Sequence, residues 1–360
     1  MDSTSLPSWL ALNAVAALSG ANWRRLAAAF GSPAQVLRQS QQSLARVVDP
    51  ALAEAIRRSP DSPLVQAALD WAAQPGHAIV TLEDPHYPQL LRETPDPPPV
   101  LYAAGRIELL ACPTLAMVGS RNASAQGMRN AEAFARVLST HGLCIASGMA
   151  LGIDTAAHRG ALQAVGRSVA VLGCGIDVIY PRGNGQLYRQ LASEGLVLSE
   201  FALGTRPLTH HFPRRNRIIA GLSRGCLVVE AAMASGSLIT ARCAVDMGRD
   251  VFAIPGSIHS PLSKGCHHLI KQGAKLVDDA LDVLDELGMP KQSIGCADTQ
   301  APLEPDAASV LAALGHDPCG FDALVERTAM SVERLAALLT QLELDARVSR
   351  TDRGEYQRLD

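Results

Sequence analysis

The residues best suited to chemistry gather in two places. Between positions 206 and 224 stand Arg206, Arg214, Arg215, Arg217 and Arg224, with His210, His211, Phe212 and Asn216, and the stretch holds no Asp or Glu. Guanidinium groups without a local counter-charge suit phosphate oxygens, an aromatic ring suits the face of a base, and an Asn amide suits a base edge. Together they describe a grip on single-stranded nucleic acid. The competing reading is that these arginines pair with distant carboxylates on a structural face. The second place is a set of four short segments rich in Gly and Ser: Gly119-Ser120-Arg121, Ser147 to Asp154, Gly173 to Asp177, and Ser235-Gly236-Ser237 to Thr240. Glycine lets backbone amides approach a ligand, and helix N-termini favour anions. Four such segments, with their hydroxyls, predict a phosphate-binding surface.

Other chemistries fit the residues less well. The G-x-x-x-x-G-K-[ST] pattern of a P-loop is absent, and Val178 stands where a dinucleotide fingerprint begun by Gly173 and Gly175 needs its third glycine. Ser120, Ser147 and Ser237 have no sequence-evident base. Asp154 and His158, four apart at a helix start, share a face; Asp154 is expected to cap the helix and His158 to pack in a hydrogen-bonded position. Cys266-His267-His268 and His210-His211 are adjacent pairs that point apart and ligate poorly. No catalytic residue, metal or cofactor is expected.

These segments need a scaffold that brings them to one edge. Short apolar runs at Leu115 to Val118, Leu143 to Ala146, Ser168 to Leu172, Leu196 to Leu198, Cys226 to Val229 and Val251 to Ile254 alternate with helical stretches. Spacing of this kind predicts βαβ units, and so an α/β, extended Rossmann-like fold with a largely parallel sheet over 113–285. In such a sheet ligands sit beyond the carboxyl ends of the strands, where the Gly/Ser segments fall. Residues 1–75 read as a small helical domain. Its Ser19-Gly20-Ala21-Asn22 turn resembles a helix-hairpin-helix, although plain helical packing is the commoner origin of such a pattern. Residues 76–112, with Pro95-Asp96-Pro97-Pro98-Pro99, read as a connector with an edge strand. A linker covers 286–306, and 307–360 reads as a C-terminal winged helix, with Ser331 capping its third helix.

The chain has 360 residues and a net charge of −3, so overall charge gives no hint of nucleic acid. The terminal module is acidic: from 301 to 360 eleven carboxylates face six arginines, a net of −5. That balance suits a protein contact better than duplex phosphates. Eight scattered cysteines without a C-x-x-C pair, no apolar run of membrane-spanning length and no basic leader indicate a cytoplasmic protein with no membrane partner.

At the Gly/Ser segments the sequence resembles one family closely, DprA (also called Smf), the bacterial DNA-processing proteins. The resemblance rests on Val118-Gly119-Ser120-Arg121; Ser147 to Asp154 with Ala157-His158; Ala170 to Asp177 with Tyr180-Pro181; Phe212 to Ser223; Glu230-Ala231 to Ala241; and Gly248 to Gly256. It implies a protein that binds single-stranded DNA, forms a homodimer, protects incoming DNA in natural transformation and loads the RecA recombinase onto it, without catalysis. Carried over by motif, the DNA site would comprise Gly119, Ser120, Arg121, Gly148, Gly152, Phe212, Arg214, Arg215, Asn216, Arg217, Ser235, Gly236 and Ser237. Two other classes compete. A Rossmann-like nucleotide-processing hydrolase would need a P-G-G-x-G-T-x-x-E loop that is absent. A winged-helix regulator would need a less acidic terminal module.

Overall fold

Serine and aspartate side chains punctuate the first seventy residues. Ser19, Ser32, Ser40, Asp49 and Ser62 each accept a hydrogen bond from a backbone N–H of the helix that follows, satisfying donors that a helix start leaves unpaired. The computed structural model describes residues 6–15, 18–165, 167–290, 304–315, 317–345, 347–351 and 354–359. Its first helices are α1 (Leu6–Asn13), α2 (Gly20–Phe30), α3 (Pro33–Leu37), α4 (Gln41–Leu44), α5 (Pro50–Arg58) and α6 (Pro63–Ala72). They close around Trp9, Trp23, Leu26, Leu44 and Ile56, with the two indole rings 4.7 Å apart.

The chain then runs β1 (His77–Thr81), α7 (Gln89–Arg92), β2 (Val100–Gly105), β3 (Thr114–Val118), α8 (Ala125–Thr140), β4 (Cys144–Ser147), α9 (Ile153–Gln163), β5 (Ser168–Val171), α10 (Gly185–Glu194) and β6 (Leu196–Ser199). It continues through α11 (His211–Leu222), β7 (Gly225–Val228), α12 (Ser237–Asp246), β8 (Asp250–Ala253), α13 (Lys264–Lys271), β9 (Lys275–Leu276) and α14 (Ala280–Glu286). Each of the six apolar runs forms a strand within a residue or two of its expected limits. The strands make one nine-stranded sheet in the order β1-β2-β6-β5-β4-β3-β7-β8-β9. It is parallel from β6 to β9, while β1 and β2 add antiparallel at one edge. The proline-rich stretch read as a connector thus contributes two full strands. Its prolines lie between β1 and β2, where no ladder needs their missing N–H.

Strand β3 is buried along its whole length, as a central parallel strand must be. Leu115 and Met117 point to a core shared with α8, α9 and α14. Ala116 and Val118 point to the opposite core with α11, α12 and α13, following the two-residue period of a strand. Connections run one way from β3 to β4, β5 and β6, then cross back to β7 beside β3. The order therefore reverses between β3 and β7, and a reversal of this kind opens a crevice at the carboxyl edge.

The chain divides into two compact units, Met1–Ala123 with Asn130–Lys291, and Ser124–Arg129 with Gln292–Asp360. The C-terminal module has α15 (Pro305–Leu314), α16 (Phe321–Thr328) and α17 (Val332–Leu344), then a hairpin of β10 (Val348–Arg350) and β11 (Tyr356–Arg358). Val310, Leu324, Leu335, Leu339 and Val348 form its core, and Ser331 caps α17 through the Arg334 N–H. Among the described residues no helix is long and apolar enough to cross a membrane.

Candidate nucleic-acid groove

A cleft of about 650 Å³ opens where the strand order reverses. Its walls are Gly119, Ser120, Arg121 and Asn122 after β3, Ala232 to Ser237 after β7, the first turn of α12, and Phe212, Arg215 and Asn216 on α11. A smaller hollow of about 210 Å³ adjoins it, sharing Arg121, Asn122, Tyr180, Phe212 and Arg215 and reaching Gly148, Leu151 and Gly173. Of the residues expected in the site, all but Gly152, Arg214 and Arg217 line one of the two.

Hydroxyls and amides are disposed along this edge. Ser235 Oγ and Ser237 Oγ lie 2.7 Å apart, and Asn216 Nδ2 donates to Gly236 O at 3.4 Å. Ser120 Oγ accepts from Asn122 N at 3.2 Å. Phe212 carries the aromatic face. Arg121 lies over the ring at 5.5 Å, Tyr180 sits 5.5 Å away centroid to centroid, and Gly173 packs so close that a Cβ there would be 2.8 Å from the ring. Gly152 does not line the cleft, yet it makes the cleft possible. It has φ +75°, and a Cβ would stand 2.3 Å from the Ser120 carbonyl of the neighbouring loop, so only glycine lets the two loops meet.

Two of these arginines, Arg214 and Arg217, have counter-charges, which come from outside their own segment. Glu200, directly after β6, accepts from Arg214 at 3.1 Å and Arg217 at 2.5 Å. Arg217 also pairs with Asp96 at 3.3 Å, and its side chain is only 15% exposed. Arg215 is 4% exposed and donates to the carbonyls of Gly148 and Val171. The expectation of unpaired arginines is therefore corrected for Arg214, Arg215 and Arg217, because a window of local sequence cannot show partners that the fold brings in. Arg121 and Arg206 are exposed at or beside the groove, and Arg214 is half exposed.

At the start of α9, His158 packs in a hydrogen-bonded position as expected, but Asp154 does not cap the helix. Gly152 holds the N-cap position, and Asp154 reaches back to accept from the N–H groups of Gly148 at 3.1 Å and Ala150 at 3.3 Å. Burial lifts the Asp154 carboxyl above its usual range, opposed by the Arg215 charge. His158 is fully buried with Nδ1 2.8 Å from Ser168 Oγ, and burial, aided by Arg215, pulls it down to about 3. His158 lines neither hollow, while Asp154 reaches the wall of the larger cleft with its carboxylate tied to the 148–150 backbone. The string Gly221-Leu222-Ser223-Arg224-Gly225 has the G-x-S-x-G form of a nucleophile elbow. It runs from α11 into β7, the reverse of an elbow's strand-to-helix order, and Ser223 is buried with its hydroxyl donating to Ile219 O.

The Gly20 N–H, which the hairpin-like turn offered to a phosphate, donates to Asp96 Oδ1 at 2.8 Å. In the terminal module the one arginine on α17, Arg334, is taken up by Asp306 and Glu304. Sequence reasoning missed Tyr180 and Asn122 as lining residues and Glu200 as the neutralising carboxylate. Tyr180 could have been found from its place beside Pro181 after a Gly-rich strand end.

Comparisons with known proteins point to one family. The family model described as DNA recombination-mediator protein A matches residues 78–288, and the DprA winged helix domain model matches 297–352. Protein Smf of Escherichia coli is 42% identical over 303 residues, spanning 82% of this chain and 81% of that protein. The DNA processing protein DprA of Streptococcus pneumoniae is 53% identical over 203 residues, 56% of this chain and 72% of that protein. The X-ray structure of DNA processing protein A from Streptococcus pneumoniae superposes with a TM-score of 0.68 at 40% identity, covering 76% of this chain and 95% of that one. The structure of DNA processing protein A from Helicobacter pylori, reported for its single-stranded DNA binding mode, gives a TM-score of 0.54 at 30% identity over 58% of this chain and 95% of that one. The family model spans more than half of the chain and a full-length relative shares two residues in five, so this chain belongs to the DprA/Smf family of DNA recombination-mediator proteins.

Proposed function

We propose that this protein binds single-stranded DNA in the groove between β3 and β7, protects incoming DNA during natural transformation, and passes it to the RecA recombinase, without catalysing a reaction on it. The observation that carries the reading is the arrangement of Arg121, Phe212 and Tyr180 over a cleft edged with Ser120, Ser235 and Ser237. An aromatic face for a base beside a cation and hydroxyls for phosphates suits a single strand, whose bases are free to unstack, better than a duplex. The Helicobacter pylori relative is reported to bind single-stranded DNA. The buried, internally bonded state of His158 and Ser223, away from the cleft, supports binding over catalysis. Handover to RecA, homodimer formation and a cytoplasmic location belong to the same proposal.

The test is a fluorescence titration of labelled single- and double-stranded DNA of one sequence at several salt concentrations, with Arg121→Ala alongside. Single strands should be preferred, and log Kobs against log[salt] should become shallower by about 0.7 in the variant, one single-strand phosphate contact fewer. Equal binding to both forms, or none, would refute the reading and direct attention to small nucleotides.

A further inference from the structure

Arg215 borders the groove but is only 4% exposed, and its bonds go chiefly to the backbone that shapes the groove. Its Nη1 donates to Gly148 O at 2.7 Å and to Val171 O, and its Nε donates to Asn216 Oδ1 at 3.2 Å. Those two carbonyls end the adjacent parallel strands β4 and β5, where their loops part. A Cβ on Gly148 would lie 2.4 Å from the guanidinium, so the group is wedged against bare backbone. Asp154, 8% exposed, grips the same loop through the N–H groups of Gly148 and Ala150. Two further side chains complete the clamp: Asn184 Nδ2 donates to Met149 O at 2.9 Å, and Thr155 Oγ1 donates to Ala150 O at 2.7 Å.

Every carbonyl from Gly148 to Ala150 therefore accepts from a side chain of the protein. The loop needs such support, since Met149 sits at φ +56° while completely buried, a conformation that persists only when its surroundings impose it. The loop also bears on the proposed site directly, because Gly148, Ala150 and Leu151 line the smaller hollow beside Phe212. A carbonyl oxygen released towards that hollow would oppose an incoming phosphate.

We infer that Arg215 and Asp154 are positioning residues for the groove, which lock the 148–152 loop with its carbonyls tied to buried donors, while Arg121 meets the phosphate. The inference rests on the single-stranded DNA reading and narrows it. It reverses the role that residue type alone suggests for Arg215. Because the bonds of Arg215 and Asp154 go to the protein's own backbone and Asn216, removing either should alter the shape of the groove without altering the number of phosphates neutralised.

The experiment uses the full chain and a fluorescein-labelled oligothymidylate, titrated by anisotropy across a salt series. Arg121→Ala should lower the salt slope by about 0.7. Arg215→Met should weaken binding by about tenfold or more at every salt concentration with the slope unchanged. Asp154→Ala should also weaken it, although removal of a negative charge near an anion site would by charge alone tighten it. Asn184→Ala, which unties the loop without touching either charge, should weaken binding at unchanged slope and decides the matter if Arg215→Met does not fold. A slope lower by about 0.7 in Arg215→Met, tighter binding by Asp154→Ala, or wild-type affinity in Asn184→Ala would overturn the inference. A wild-type protein that shows no salt-dependent binding of the oligothymidylate would fail the functional reading itself, before any variant is compared.

Discussion

Glu200 accepts the guanidinium of Arg217 at 2.5 Å with a side chain only 2% exposed, and the same oxygen takes Arg214 at 3.1 Å. This carboxylate cancels much of the positive charge that the local sequence of α11 promises. Removing one member of a buried ion pair strands the other and costs about 3–5 kcal/mol. Glu200→Ala should fall at the low end, about 3 kcal/mol by urea denaturation, since Arg214 is half exposed and can return to water. The freed charge beside the groove should tighten oligothymidylate binding at low salt. A wild-type unfolding midpoint would show that the cluster contributes nothing to stability.

Phe212 should act through its ring and not through charge. Truncation to Ala should cost about 1–3 kcal/mol of single-stranded DNA binding for each base stacked there, with the salt slope unchanged. Phe212→Trp should retain most of the affinity. If Phe212→Ala binds as the parent does, the ring is packing for Gly173 and Tyr180 and not a platform for a base.

The sheet was readable because a central parallel strand is buried on both faces and shows as an unbroken apolar run, as Leu115 to Val118 does. Strands β1 and β2 were harder to see, since β6, the strand that joins β2 to the sheet, lies about a hundred residues along the chain and prolines crowd the gap between β1 and β2. The groove loops were readable from Gly119, Ser120 and Ser235, whose types suit close approach of an anion. The role of Arg215 was not, because its partners Gly148 and Val171 are distant in sequence and are backbone atoms that carry no residue signature. Glu200 was hidden for the same reason: it lies outside the arginine-rich window and enters it only through the β6–α11 crossover.

Two glycines of the groove should answer differently to alanine. A Cβ on Gly119 would stand 2.5 Å from the Ile153 side chain and 2.9 Å from the Glu230 carbonyl, so Gly119→Ala should destabilise by about 1–3 kcal/mol. Gly236 has helical angles and nothing within 4 Å of a Cβ, so Gly236→Ala should stabilise by about 0.4–1 kcal/mol. Thermal melts of the two variants provide the comparison. If Gly236→Ala also weakens DNA binding while melting higher, the strand passes directly over that backbone.

Acid should destabilise the fold through His158. Its ordinary value is 6.5 and burial holds it near 3, so below about pH 6.5 the unfolded chain binds a proton that the folded one refuses. The stability tied to neutral His158 is present above pH 6.5 and is lost as pH falls from there towards 3, at up to about 1.4 kcal/mol per unit. Burial raises Asp154 and Glu200, so their contribution runs the other way and is lost as pH rises. The clean measurement is the stability difference between the parent and His158→Gln, from urea titrations at pH 7.5 and 5.5. That difference should shrink by about 1 kcal/mol at the lower pH, and a constant difference would mean that His158 takes up its proton inside the fold.

Asp96 should report on how firmly the N-terminal helices are strapped to α11. Its carboxylate accepts the Gly20 N–H and pairs with Arg217, and its carbonyl accepts from Arg217 as well. Beside it, Arg24 donates to the carbonyls of Thr94 and Pro95. Residues 94–96 are thus tied to α2 on one side and α11 on the other. Asp96→Ala leaves Arg217 held by Glu200, and the carboxylate is 43% exposed, so the expected loss is only about 1 kcal/mol. Exchange of the Gly20 amide with deuterium should accelerate, while oligothymidylate affinity should stay within about threefold of the parent. A tenfold loss of affinity with little change in stability would show instead that the strap sets the pose of α11, and through it Phe212 and Asn216.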